Sequence, residues 1–179
     1  DLIGSKHCIG VWFGMPCGTL SRARRNDGGP GPLRDPEHVM KPNAACTPNE
    51  RTRVLMANRI LERMIAIIDH CIKQKKPWYI ENPRGSRLWD TSMIRSLEQR
   101  SGAPKSRWDN SQCGTEDMKP TTILAWHNDE FVANSRACGF GAHNEWKCTK
   151  TGIRHVRLEG FDDKGKANTS YASAYPPAL

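Results

Sequence analysis

Cys17 and Glu81 are the residues of this chain best placed, by type and by context, to act on a substrate. The run Cys8-Ile9-Gly10-Val11-Trp12-Phe13-Gly14 predicts a short buried strand that ends at Met15-Pro16-Cys17. It leaves through the small polar turn Gly18-Thr19-Leu20-Ser21, followed by Arg22, Arg24 and Arg25. A thiol just beyond the carboxyl end of a strand stands where open α/β sheets collect ligands, and neighbouring guanidinium groups favour the nucleophilic thiolate. A lone cysteine is more often a packed, inert one. What distinguishes Cys17 is a second stretch, Pro77-Trp78-Tyr79-Ile80-Glu81-Asn82-Pro83, a β-prone run ending in a carboxylate, an amide and a turn-forming proline. Two such strand ends separated by a strongly helical segment describe a βαβ unit that brings thiol and carboxylate to one sheet edge.

These residues, in this order, resemble the catalytic part of the DNA (cytosine-5) methyltransferases. In that family a strand ends in Pro-Cys with a Ser four residues after the Cys, as in Pro16, Cys17 and Ser21, and the next catalytic strand ends in Glu-Asn-Val, matched by Glu81 and Asn82. The chain departs from the pattern at Gly18, where the family commonly has Gln, at Pro83, where it has Val, and in carrying no Gln-x-Arg-x-Arg motif. The resemblance implies that Cys17 adds to cytosine C6, that Glu81 holds the base edge at N3, and that Asn82 helps fix the loop. Thiolate addition with a proton or hydrogen bond at N3 turns an unreactive ring into an enamine able to accept a methyl group at C5. The base must first leave the duplex stack. The implied methyl donor is S-adenosylmethionine, the implied partner DNA, and the implied location intracellular, with DNA in nucleus or nucleoid. Only sixteen residues precede Cys17, and the family's Gly-rich cofactor strand has no counterpart among them. The fold expectation is therefore α/β, an incomplete Rossmann-like methyltransferase core spanning 1–179 as a single partial catalytic domain, with the cofactor-binding segment upstream or on a partner.

Composition agrees with an anionic partner. Twenty-seven Lys and Arg against nineteen Asp and Glu give a net charge of +8, for which nucleic acid is the common counterpart. The mean hydropathy of −0.68 and the lack of a long apolar run predict no membrane span. Seven cysteines, odd in number and scattered, read as reduced thiols rather than as a disulfide framework. A phosphatase loop would need Arg six positions after its Cys, where this chain has Ala23.

Several elements must position these groups. Thr47-Pro48-Asn49-Glu50 is a capping box with proline at the first helical position, and Ile60, Leu61, Met64, Ile65, Ile68 and Ile72 follow at helical spacing as a core-facing stripe. Residues 26–47, rich in Gly, Pro, Asn and Asp, predict a long loop, functional or a solvated insertion; the resemblance implies a mobile loop that closes over DNA. Arg22, Arg24, Arg25 and Arg34 are its candidate phosphate contacts. Arg84 and Arg87 lie just past Glu81, with DNA contact or an ion pair as their alternatives, and Ser86 precedes a second amphipathic helix through Met93, Ile94 and Leu97. Thr121–Trp126 reads as a further strand with Lys119, another DNA-contact candidate, near one of its ends. Val156-Arg157-Leu158 reads as a short strand, and Thr169 to Tyr175 as a helical turn.

The region 113–155 is a Cys/His-rich subregion in which Cys138, His143, Cys148 and His155 have the chemistry to hold zinc tetrahedrally, with Cys113 as a substitute ligand. Their spacing matches no standard finger or knuckle, and unligated loop residues are the alternative. A zinc-stabilised nucleic-acid-binding module of a mobile element, without catalysis, is the competing functional class.

Overall fold

The computed structural model describes residues 1–22, 24, 31–134, 147–156, 158 and 163. Its frame is a mixed four-stranded sheet in the order β1-β2-β4-β3, from β1 (Val11–Gly14), β2 (Trp78–Pro83), β3 (Lys105–Asp109) and β4 (Pro120–Trp126). β1 and β2 are parallel, in the register Val11 to Trp78 and Gly14 to Glu81. Between them runs α1 (Pro48–Lys73), the crossover of the expected βαβ unit. β4 is antiparallel to both its neighbours, β2 and β3, so β3 runs in the same direction as β2.

Helix α1 starts where the sequence demands. Thr47 accepts from Glu50 N while the Glu50 carboxylate accepts from Thr47 N at 3.0 Å, and Pro48 occupies the first turn, where its missing N–H costs nothing. Its buried stripe is Val54, Ala57, Asn58, Leu61, Met64, Ile68 and Cys71. Ile60, expected in the core, is 44% exposed, one position round the helix from Leu61. The stripe joins Trp78, Ile80 and Leu124 on one face of the sheet, together with Leu88, Ile94 and Leu97. Burying each large aliphatic side chain is worth about 1.5–3 kcal/mol.

The second helix, α2 (Ser92–Ser101), is capped by Thr91 and ends at Gly102, whose φ of 65° suits glycine. Ser86, expected at the start of this helix, instead caps the 3-10 turn Arg87–Asp90 in front of it. The opposite sheet face carries Trp108, Ile123 and Ala125, covered by Phe131 of the short helix α3 (Asp129–Ala133). Trp12 stacks on Tyr79 at 5.4 Å and Trp108 on Phe131 at 5.0 Å, so this smaller core is largely aromatic. No described helix is long and apolar enough to cross a membrane. Arg25, Cys138, His143, Arg157 and the segment 169–175 lie outside the described residues.

Candidate functional site

All four strands deliver groups to one sheet edge. Parallel pairing ends β1 and β2 together, so the Pro16-Cys17 turn and Glu81-Asn82 leave the sheet side by side. β3 contributes its last residue, Asp109, and reversed β4 contributes its entry, Lys119-Pro120, because Thr121 pairs with Pro83 and Pro120 with Asp109. The sequence left open which end Lys119 occupied; the reversal puts it at this edge, at a φ of 21° that few side-chain-bearing residues adopt.

The turn that carries Cys17 is held from three directions. Asn82 Nδ2 donates to Met15 O at 2.8 Å, joining the two strand ends. Arg34 donates to Thr19 O at 3.1 Å and to Thr19 Oγ1 at 3.0 Å, and the Arg87 amide donates to Leu20 O at 2.8 Å. The Leu20 side chain, 1% exposed, is part of the main core. Within this fixed backbone Cys17 is exposed, and a Cβ built on the next residue, Gly18, meets nothing within 4 Å. The turn therefore presents a thiol to solvent and leaves room beside it.

Glu81 and Asn82 are both buried, and strand alternation sends them to opposite faces. Asn82 faces the α1 side with Ile80, whereas Glu81 shares the aromatic side with Tyr79. Asn82 Oδ1 and Arg84 Nε are buried without a hydrogen-bond partner among the described residues, which is uncommon for polar atoms in a folded protein and costs about 1–3 kcal/mol each.

The candidate DNA contacts are distributed unevenly. Arg22 pairs with Asp90 at 2.5 Å yet stays 62% exposed, and Arg24 donates to Gly31 O at 3.0 Å. Arg84 pairs at 2.8 Å with fully buried Asp109, tying the ends of β2 and β3 together. Arg34 corrects an expectation. Read as a phosphate contact in a mobile loop, it is instead 2% exposed, giving its N–H groups to Thr19, Val39 O and Asn58 Oδ1. Burial, with the Arg87 charge close by, pushes its pKa down to about 10. A guanidinium with five fixed donors can order a loop by saturating its carbonyls, and that is how 33–43 is organised here, with Asn43 N closing it on Leu33 O at 2.9 Å.

Family models, curated proteins and solved structures give no match to this chain. What it can do rests on its own geometry.

Of the expected zinc ligands, Cys148 and His155 are described, and both are buried. Among the described residues no group of three or more His, Cys, Asp or Glu is arranged to hold a metal ion. Burial pushes the Cys148 thiol up, but hydrogen bonds involving Thr151, Lys150 and Ser111 outweigh it and bring the thiol below its ordinary range. Gln112 Nε2 also reaches its sulfur at 3.5 Å.

Three features at this edge escaped sequence reasoning. β3, with its alternating Lys105-Ser106-Arg107-Trp108 pattern, was visible as period-two but lies in a polar surrounding. The buried turn Asn110–Cys113 has no apolar signature. The role of Arg34 has none either, since an arginine in a Gly/Pro-rich stretch reads as solvated.

Proposed function

We propose that this chain carries the nucleophile and base-binding carboxylate of a DNA (cytosine-5) methyltransferase site, in a Rossmann-like core in which Cys17 adds to C6 of a cytosine and Glu81 binds the base edge at N3. The observation that carries the reading is the 2.8 Å bond from Asn82 to Met15 O across adjacent parallel strands. It gives Asn82 a reason to stand beside Glu81 and fixes the Pro-Cys turn relative to the carboxylate. One flank of a doubly wound sheet has consecutive parallel strands side by side, as β1 and β2 are, and an antiparallel strand within such a sheet is common.

In this mechanism the Cys17 thiolate forms the S–C6 bond, and electron density moves through the ring toward N3 and its exocyclic carbonyl. A hydrogen bond from the Glu81 carboxyl at N3 stabilises the adduct, leaving C5 nucleophilic. Once C5 has taken an electrophile (the methyl group, or a proton from water in the donor-free exchange), loss of the original C5 proton to water and expulsion of Cys17 as thiolate restore the aromatic ring. S-adenosylmethionine would supply the methyl group. The cavity beside the Cys17 turn does not fit it, because five arginines line that space and the donor is a sulfonium cation; the roles assigned here to Cys17 and Glu81 are addition and base recognition.

Addition alone is measurable. A C6 adduct makes the C5 hydrogen exchangeable, so DNA with tritium at cytosine C5 should release label to water in the presence of the protein without any methyl donor. Release that disappears in Cys17→Ser supports the assignment. Release equal in both proteins, or none while DNA is bound, would replace it with the non-catalytic nucleic-acid-binding reading.

A further inference from the structure

A cavity of about 610 Å³ opens beside the Cys17 turn, between Ser21–Arg22, the 32–43 loop and the segment from Arg87 to Arg95. Five arginines and two carboxylates, Glu37 and Asp90, line it. Its size lies in the ~300–1,000 Å³ range of small-ligand sites. Clusters of surface arginine usually pair off with carboxylates and do little. Among the described residues three of the five do not: Arg24 donates to Gly31 O, and Arg34 and Arg87 are held more extensively. Among the described residues Arg34 meets Thr19, Val39 and Asn58, all through neutral oxygens. Among the same residues the Arg87 side chain meets the carbonyls of Arg34, Asp35 and Pro36, at 3.1, 2.8 and 2.7 Å.

Two guanidiniums held by backbone dipoles and matched by no anion among the described residues are costly to keep in a fold. They are also fixed, so the positive field they place in the cavity needs no reorganisation when a ligand arrives. The other two well-placed arginines share one carboxylate: Asp90 takes Arg22 at 2.5 Å on one oxygen and Arg95 at 3.7 Å on the other. An anion entering the cavity therefore finds Arg22 and Arg95 already converged on a single negative group.

We propose that this cavity binds the phosphate of a nucleotide, with Arg22 and Arg95 as direct contacts in place of Asp90, and with Arg34 and Arg87 supplying the standing charge. Guanidinium forks suit phosphate oxygens in a bidentate manner. The site lies four to five residues from Cys17 along the chain, so under the nucleic-acid reading above, on which this choice of ligand rests, it holds a backbone phosphate near the reacting base. The same chemistry would serve the terminal phosphates of a free nucleotide.

The test is calorimetric titration at low salt with inorganic pyrophosphate and, separately, with a short oligothymidylate. Arg95→Gln should weaken pyrophosphate binding roughly tenfold, whereas Asp90→Asn, which removes the competing carboxylate, should tighten it several-fold. A variant that merely damaged the fold could not bind more tightly. Arg63→Gln, on the exposed side of α1, should change nothing. If the oligonucleotide displaces pyrophosphate, the source is a nucleic-acid backbone; if it does not, the source is a free nucleotide, and the DNA reading fails while the phosphate site stands. Absence of pyrophosphate binding, or equal affinity in wild type, Arg95→Gln and Asp90→Asn, overturns the proposal.

Discussion

The turn at Cys17 and the segment around Cys148 treat the same functional group in opposite ways. At Cys17 the backbone is immobilised by Asn82, Arg34 and the Arg87 amide while the thiol faces water. At Cys148 the thiol is buried against Met118 and surrounded by hydrogen bonds that make it more acidic. Since a thiol reacts only where a partner can reach it, the clamped and open turn is the one of the two that presents its cysteine to a reagent.

The largest expected effect is on alkylation. In the native protein Cys17 should react with iodoacetamide about a hundredfold faster than Cys148, Cys113 or Cys71, which are all buried. Site-resolved mass spectrometry gives the rates, and comparable rates at Cys17 and Cys148 would break the contrast. Next in size is the anchor of the turn. Leu20→Ala removes a fully buried side chain and should cost about 2–5 kcal/mol in urea unfolding, whereas a loss under 1 kcal/mol would mean the turn is not tied to the core.

Asn82→Ala should cost less, about 1–2 kcal/mol, because one hydrogen bond to a buried carbonyl is lost and an unpaired Oδ1 disappears with it. Its sharper signature is local: amide hydrogen exchange of residues 17–20 should quicken more than that of β3. Uniform change across the sheet would refute a dedicated clamp. Gly18→Gln adds a side chain beside the thiol, and since its Cβ meets open space, stability should stay within about 0.5 kcal/mol.

A pH effect remote from both thiols calibrates the set. Hydrogen bonds from the Thr47 backbone and hydroxyl hold the Glu50 carboxyl below its ordinary range. Its folded pKa lies under its unfolded one, so its contribution is present above the ordinary carboxylate pKa and fades as pH falls through the folded value. Glu50→Gln should therefore flatten the acid limb of a stability–pH curve and leave the neutral-to-alkaline part unchanged in shape. An unchanged acid limb would remove Glu50 from the cap.

Local rules made α1, β1 and β2 readable: a capping box, a helical apolar stripe and two β-prone runs each state their structure within a few residues. The position of Cys17 and Glu81 at one edge followed from the parallel crossover alone. The reversal of β4 was not readable, because Pro120-Thr121-Thr122-Ile123 looks alike in either direction and only pairing partners decide. Arg34 was misread for a related reason. Its burial depends on Thr19, Val39 and Asn58 converging from three separate parts of the chain, and no local pattern announces that.

The placement of β4 also sets an order of events in synthesis. β4 lies between β2 and β3 although it is the last of the four strands along the chain. As the polypeptide emerges, β1, α1 and β2 can assemble the Cys17 turn and its Asn82 bond. The six-residue outer edge of β2 stays unpaired until Trp126 has been made, because β3 has no seat without the strand that divides them. A nascent chain stopped after α2 would hold its Cys17 turn in place while offering β2 to any strand nearby, so the ribosome must run on through β4 before the sheet is closed to other partners.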